Sequence, residues 1–226
     1  MKELMYSFVD YTWNPVKGKC DYDCSYCYMK KWGNKQKPLY LDEKVLKKGH
    51  EPYNTIFVCS GCDLFHPGIP GEWIDKINEA IFAADKTNGF ILHTKNPKRI
   101  YEENREWPTR TVICVTVESN IPWPEISKAP QPFERIEYLR KISQPMIPMI
   151  TIEPVMDFDV MTFSEMILSC KPYQVNIGAD SGRNNLPEPT REKVEKLINL
   201  LSPETQIHLK ENLRRILPES RYYGSR

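Results

Sequence analysis

Short apolar runs alternate with amphipathic stretches along most of the chain. The segments Ser7–Thr12, Thr55–Cys59, Phe90–Thr94, Thr111–Val117, Met146–Ile152 and Gln174–Gly178 are rich in Val, Ile, Phe and Thr and read as β-strands. Gln206–Leu209 is a candidate seventh. Between them, Glu72–Asp85, Pro97–Asn104, Phe133–Ile142, Phe163–Ser169 and Arg191–Leu201 read as helices, with Gly71 and Pro189 near helix starts. In the first of these, Trp73, Ile74, Ile77, Ala80, Ile81 and Ala84 recur at helical spacing.

A repeated strand–helix order implies parallel strands joined by right-handed crossovers. The strands are apolar on both faces, as strands covered by helices must be. The expected fold is therefore α/β: a partial parallel (β/α) barrel of about six strands, TIM-barrel-like, forming a single domain over residues 1–226. An open doubly wound sheet is the alternative. In a barrel the loops after the strands form the working face. One of them, Asn120–Pro132, holds four prolines and Trp123.

Composition narrows the class. The formal net charge of +1 provides no bulk pull toward nucleic acid or membrane. Lys30, Lys31, Lys35, Lys37, Lys44, Lys47 and Lys48 form a local basic run, read either as a solvated loop or as a patch that meets phosphate. The first ten residues are too short and too mixed in polarity for a signal peptide. No apolar run approaches the roughly 18 residues of a membrane span. The expectation is a cytoplasmic protein with no membrane partner. Seven cysteines, an odd number, favour metal binding over a disulfide framework.

The strongest chemical signal is Cys20-Asp-Tyr-Asp-Cys24-Ser-Tyr-Cys27, which places three soft thiolates within eight residues after the first strand. Thiolates this close can converge on one metal centre. Three ligands leave a 4Fe-4S cluster with one open iron. Zinc is the other occupant, with His50 or Cys62 as a fourth ligand. Cys59 and Cys62 could also serve a second cluster or supply a reactive thiol, whereas Cys114 and Cys170 read as core thiols.

C-x3-C-x2-C after a first barrel strand resembles the signature of the radical S-adenosylmethionine (radical SAM) superfamily. A longer set of motifs is similar to a phage- and prophage-associated radical-SAM-like family of unassigned activity. These are Trp13-Asn14-Pro15, Asp63-Leu64-Phe65-His66-Pro67, His93-Thr94-Lys95-Asn96-Pro97, Val117-Glu118, Thr151-Ile152-Glu153-Pro154 and Gly178-Ala179-Asp180-Ser181-Gly182.

The resemblance implies an enzyme. Cys20, Cys24 and Cys27 hold a 4Fe-4S cluster whose open iron takes S-adenosyl-L-methionine, and an electron then yields a 5′-deoxyadenosyl radical. It also implies cofactor contacts at Tyr26, Ser60, Gly61, Asp63, Thr116, Glu118 and Ser119, and an electron donor of the flavodoxin or ferredoxin type. Asp63, His66, Lys95 and Glu153 stand out as polar groups at strand ends that could act on a substrate. Asp180, Ser181, Gly182, Lys210 and the polar run Arg183-Asn184-Asn185-Leu186 are further strand-end candidates. The lysine run with Trp32, Trp107 and Trp123 makes a nucleic acid or nucleotide one substrate class, and a small metabolite or peptide the other. A non-catalytic zinc module and an iron–sulfur electron carrier are the readings from other classes.

Overall fold

A computed structural model describes residues 6–32, 37–84, 86–142 and 146–223, and the side chain of Trp32 is outside that description. Lys35, in the basic run, and Asp85, at the end of the first expected helix, lie outside the described residues.

Seven parallel strands form one sheet in spatial order β1 (Tyr11–Trp13), β4 (Thr55–Val58), β5 (Gly89–Thr94), β6 (Thr111–Thr116), β7 (Ile147–Ile152), β8 (Gln174–Ile177) and β9 (Gln206–Leu209). The seventh strand is present, and the two end strands β1 and β9 are not paired with each other, so the fold is a partial barrel. Helices α2 (Gly71–Ala84), α3 (Pro97–Glu103), α4 (Pro132–Lys141), α5 (Val160–Leu168) and α6 (Arg191–Leu201) each link consecutive strands. They cover the outer face, burying residues such as Ile74, Ile77, Ile100, Ile136, Phe163 and Leu197 against it.

Side chains alternate across each strand. Val58, Leu92, Val115, Ile150 and Ile177 pack outward into the helix layer. Phe57, Ile91, Cys114 and Met149 face inward, where Tyr6 and Val9 join them. The upper part of this interior is polar, which a sealed barrel core would not tolerate unless every group were bonded. Thr151 is the hub of this layer. Its hydroxyl meets Tyr6 Oη at 2.9 Å, Cys114 Sγ at 3.2 Å and Asn176 Nδ2 at 3.1 Å. Next to it His93 Nε2 meets Thr116 Oγ1 at 2.7 Å. Burial, with Lys95 and Lys210 adding to it, pushes the His93 imidazole down to about 3.

The first expected strand shifts along the chain. Ser7 and Phe8 lie in a turn closed by Val9 N–H on the Tyr6 carbonyl, and the strand runs from Tyr11 to Trp13. Phe8 then packs edge-on against His208 of β9 at 5.3 Å, which fills the opening between the end strands. Between β1 and β4 the chain makes an arm that the hydrophobic pattern does not announce. Two-residue strands β2 (Val16–Lys17) and β3 (Tyr40–Leu41) pair antiparallel and lead into a short helix α1 (Glu43–Leu46). Gly18, at the root of the arm, has φ +115°, and a Cβ there would sit 2.4 Å from the Pro38 carbonyl oxygen. Among the described residues no helix is long and apolar enough to cross a membrane.

Candidate functional site

The three cysteines lie on the arm, against a small apolar cluster made by Tyr22, Cys24 and Ala129, with Cys20, Tyr26 and Cys27 packed on it. Backbone hydrogen bonds from Ser25 N–H to Ile126 and from Lys128 N–H to Tyr22 tie the arm to the loop after β6. The cysteines therefore stand beside the carboxyl ends of the strands, the face a barrel uses for chemistry.

All seven cysteines are free. The expected convergence of the three thiols is not preformed. Among the described residues no three His, Cys, Asp or Glu side chains are grouped as around a metal ion. The thiols have other partners: Cys24 Sγ meets Ser127 Oγ at 3.1 Å, and Cys62 Sγ donates to the Asp63 carbonyl at 3.7 Å. The neighbouring Cys62 thiol holds Cys20 below the ordinary thiol range although burial opposes it, and Cys20 in turn drives Cys62 upward together with burial. Burial pushes Cys59 up to about 12. His50 is held elsewhere, its Nδ1 on Tyr11 Oη at 2.6 Å and its ring against Trp13 and Phe90.

The charged centre of the site is Glu118, just beyond β6. It is 2% exposed, as expected only for a carboxylate with partners. Arg135 of α4, itself 3% exposed, donates to Oε2 at 2.8 Å, the Tyr26 hydroxyl donates to Oε1, and Lys95 Nζ lies 3.8 Å away. Burial alone would raise this carboxyl; Arg135, Lys95 and Tyr26 outweigh it and hold it at about 2. Lys95 also lies over the Tyr26 ring, 5.5 Å from its centre. Arg135 is a residue that the sequence reading missed. Its signal is positional: it shares the buried face of α4 with Pro132, Ile136 and Leu139, where a charge needs a partner.

Beside this group is a narrow cavity of about 20 Å³, lined by Tyr26, Glu118, Trp123, Gln131, Arg135 and Met156, among others. Trp123 Nε1 and Gln131 Oε1, one donor and one acceptor from residues that line it, are buried with no hydrogen-bond partner among the described residues. Five other buried polar atoms of the described residues share this state, among them Tyr22 Oη and Trp107 Nε1, and the cavity beside this pair has the volume of about one water.

The remaining candidates sort by what they touch. Asp63 organises the loop: its carboxylate accepts from Phe65 N–H at 3.0 Å, Thr94 Oγ1 at 2.7 Å and Lys95 N–H at 2.7 Å. Ser60 Oγ and Gly61 N–H donate to Asn14 Oδ1 at 3.1 and 3.4 Å, fixing the loop after β4 onto that after β1. His66 is buried, with Nδ1 accepting from Gly68 N–H at 3.0 Å and its ring 4.6 Å from that of Tyr22; burial lowers its pKa. Ser119 Oγ donates to the Asp157 carbonyl at 2.6 Å and accepts from Ile121 N–H at 2.9 Å. Thr116 faces the interior on His93.

Glu153 forms a second charged group at the barrel mouth, paired with Lys210 and accepting from Asn212 Nδ2 at 2.7 Å. Gly178 makes room for it, since a Cβ there would come within 2.8 Å of Glu153 Oε1. Lys210 lies over the Tyr6 ring at 4.7 Å. Asp180 is turned into its own loop, accepting from Gly182 and Asn184. Trp107 is buried against Phe65, so it offers no stacking surface. Tyr26, Lys95 and Glu118 are thus brought together, while Asp63, Ser60, Gly61 and Ser119 fix the loops around them.

With the geometry in view, the chain's family is clear. It belongs to the family described as protein of unknown function (DUF5131), whose model matches residues 5–190. No curated protein sequence matches it. Among solved structures it is similar to spore photoproduct lyase. One variant of that enzyme matches with a TM-score of 0.60 at 13% identity, over 93% of this chain and 67% of that one. A lyase complexed with dinucleoside spore photoproduct matches with a TM-score of 0.56 at 10% identity, over 84% and 60%. A variant with bound AdoMet and dinucleoside spore photoproduct matches at 0.52 and 13%, over 88% and 63%. The chain therefore spans roughly two thirds or less of the lyase's length. At these identities the likeness establishes the fold.

The residues present suit a three-cysteine cluster and a nucleoside-bearing cofactor by the chemistry of their donors. Three soft thiols occur on one short loop, and a buried carboxylate and a tyrosine hydroxyl stand beside it.

Proposed function

We propose that this protein is a radical SAM enzyme that binds a 4Fe-4S cluster through Cys20, Cys24 and Cys27, and S-adenosylmethionine beside Tyr26 and Glu118. The observation that carries the reading is the seating of the C-x3-C-x2-C loop at the carboxyl ends of the strands, against half-buried Tyr26 and its bond to the buried Glu118–Arg135 pair. The fold shared with an AdoMet-binding lyase supports it.

When bound, the cluster with its open iron supplies the electron that cleaves the sulfonium C–S bond, giving a 5′-deoxyadenosyl radical that abstracts hydrogen from the substrate. The chain's own residues do the rest. Cys20, Cys24 and Cys27 would hold the cluster, Cys24 giving up its contact with Ser127. Glu118, kept ionised by Arg135 and Lys95, offers acceptor oxygens for hydroxyl groups. Arg135 and Asp63 are positioning residues: one fixes Glu118, the other joins the loops after β4 and β5. Lys95, Glu153 and Lys210 line the mouth as candidate substrate contacts, and His66 is a weaker candidate because its Nδ1 is already engaged. An electron donor of the flavodoxin or ferredoxin type completes the system. The test is anaerobic reconstitution followed by assay for 5′-deoxyadenosine.

One observation favours a second reading. Cys62, whose thiol neighbours that of Cys20, is the candidate fourth thiolate, and a four-cysteine site would hold zinc or a closed cluster with no place for AdoMet. Metal analysis of the purified protein separates the two: four irons with acid-labile sulfide against one zinc.

A further inference from the structure

We propose that the arm carrying the cysteines is a binding surface for single-stranded nucleic acid, so that the substrate class of this enzyme is a nucleotide within such a strand. The inference rests on the radical SAM reading for its catalytic meaning; the binding itself does not require the cluster.

Charge is strongly segregated along the chain. Residues 17–48 hold nine lysines against four carboxylates, a net +5, so the remainder carries −4 in a protein of net +1. A mean near zero therefore conceals a basic arm on an acidic body. The β2–β3 ribbon gives the arm two faces. Val16 and Leu41, register partners, pack into the core, while Lys17 and Tyr40, also register partners, lie on the opposite side. Lys19 N–H donates to the Lys37 carbonyl at 3.0 Å, which continues the pairing and keeps these two lysines side by side along the ribbon. Lys19, Lys30, Lys31 and Lys37 are exposed.

Part of this charge is cancelled locally, Lys17 pairing with Asp42 at 2.7 Å and Lys30 with Asp23 at 3.3 Å, and part of it is not. Lys19 has only the exposed Asp21 at 3.4 Å, a pairing worth little in water. Among the described residues, Lys31 and Lys37 have no carboxylate within ion-pair distance. Two tyrosines are interleaved with the lysines: Tyr28, 41% exposed, next to Cys27, and Tyr40, 43% exposed, on the ribbon. Tyr28 Oη donates to the Ser60 carbonyl, which anchors the ring over the loop after β4 and leaves it open to solvent.

Lysines that meet phosphates, alternating with rings that accept unstacked bases, are the pattern of single-strand binding. A duplex keeps its bases stacked and out of reach of such rings. An acidic protein partner would use the charge but would have no need of the two open aromatic faces. The placement has a catalytic consequence: Tyr28 is the neighbour of Cys27 and is bonded to the loop after β4, so a strand stacked on it lies beside the cysteine loop.

The test is fluorescence anisotropy with a fluorescein-labelled oligo-thymidylate of about 20 nucleotides, titrated with full-length protein from 50 to 300 mM KCl. Wild type should bind with a log–log salt slope of about −2, the value for roughly three phosphates on a single strand. The triple variant Lys19→Glu/Lys31→Glu/Lys37→Glu should lose at least about tenfold in affinity and most of the slope. Tyr40→Ala should lose about five- to hundredfold in affinity and keep the slope, as removal of a stacking platform does. Circular dichroism melts that match wild type show that the exposed-site variants fold.

The proposal is overturned by the absence of salt-dependent binding, by unchanged binding of the triple variant, or by equally tight binding of a matched duplex. It is also overturned if the triple variant keeps the oligonucleotide but loses reduction by flavodoxin, which would make the arm a donor dock. Dithionite-driven cleavage of AdoMet, assayed on the same preparations, bypasses any donor. Cleavage without oligonucleotide binding sinks the nucleic-acid proposal alone, and binding without cleavage sinks the radical reading alone.

Discussion

Replacing Arg135 with Met isolates the electrostatic core of the site. Arg135 is 3% exposed and makes three bonds: to Glu118 Oε2 at 2.8 Å, to the Thr116 carbonyl at 2.9 Å and to the Pro130 carbonyl at 2.6 Å. Met keeps most of the volume and removes the charge. Glu118 is then left buried with Tyr26 and the more distant Lys95. Breaking one side of a buried pair costs about 3–5 kcal/mol. With a urea m-value of about 2 kcal/mol/M, the unfolding midpoint should fall by roughly 1.5–2.5 M.

A pH series gives an independent reading of the same group. The folded Glu118 carboxyl is at about 2, against an unfolded value near 4.5. A depressed carboxyl contributes stability that is present above the unfolded value and lost as pH falls through the folded one. The difference between wild type and Glu118→Gln should therefore shrink by about 3 kcal/mol between pH 5 and pH 2. The double variant Arg135→Met/Glu118→Gln should be more stable than Arg135→Met alone, because no charge is left unpaired. A midpoint unchanged in Arg135→Met, together with no coupling in the cycle, would refute the account of Glu118 as a charge held by its neighbours.

Other expectations are as direct. Cys24→Ala should cost the folded chain only about 1 kcal/mol, from the lost Ser127 contact, while abolishing retention of four irons; a variant that keeps a full cluster removes Cys24 from the ligand set. Lys210→Met should lower stability by about 1–3 kcal/mol in urea, since Glu153 would keep only Asn212, and Glu153→Gln/Lys210→Met should recover part of the loss. The His93 ring should show no titration by NMR from pH 8 to pH 5, because it is pushed down to about 3. The unfolded chain takes that proton near 6.5, so His93 should make the fold less stable as pH drops below that value; a His93 titration near 6.5 in the folded protein would contradict its burial.

The helix-covered strands were legible because burial on both faces leaves an unbroken apolar run, and their ends fell within a residue or two of the expected limits. Arg191–Leu201 is exact, with Thr190 capping it through Lys193 N–H. The first strand, expected over Ser7–Thr12, starts later because Phe8 and Val9 are apolar for another reason: Val9 joins the interior cluster and Phe8 packs on His208 of β9. The β2–β3 ribbon escaped because two-residue strands are too short to show a period. At the site, the cysteines and Glu118 were visible as residue types in place. The dependence of Glu118 on Arg135 was not, since the partner is 17 residues away on a helix and only packing joins them. Asp63 and Ser119 read as free site groups, yet their bonds go to loop backbone, a distinction that depends on three-dimensional loop geometry.

The central claim is tested most directly on protein purified without oxygen, reconstituted with iron and sulfide, and reduced with dithionite in the presence of S-adenosylmethionine. The account predicts four irons per chain and the appearance of 5′-deoxyadenosine, both lost in Cys24→Ala. One tightly bound zinc per chain, with no cluster and no 5′-deoxyadenosine, would contradict it and leave the four-thiolate site as the correct reading.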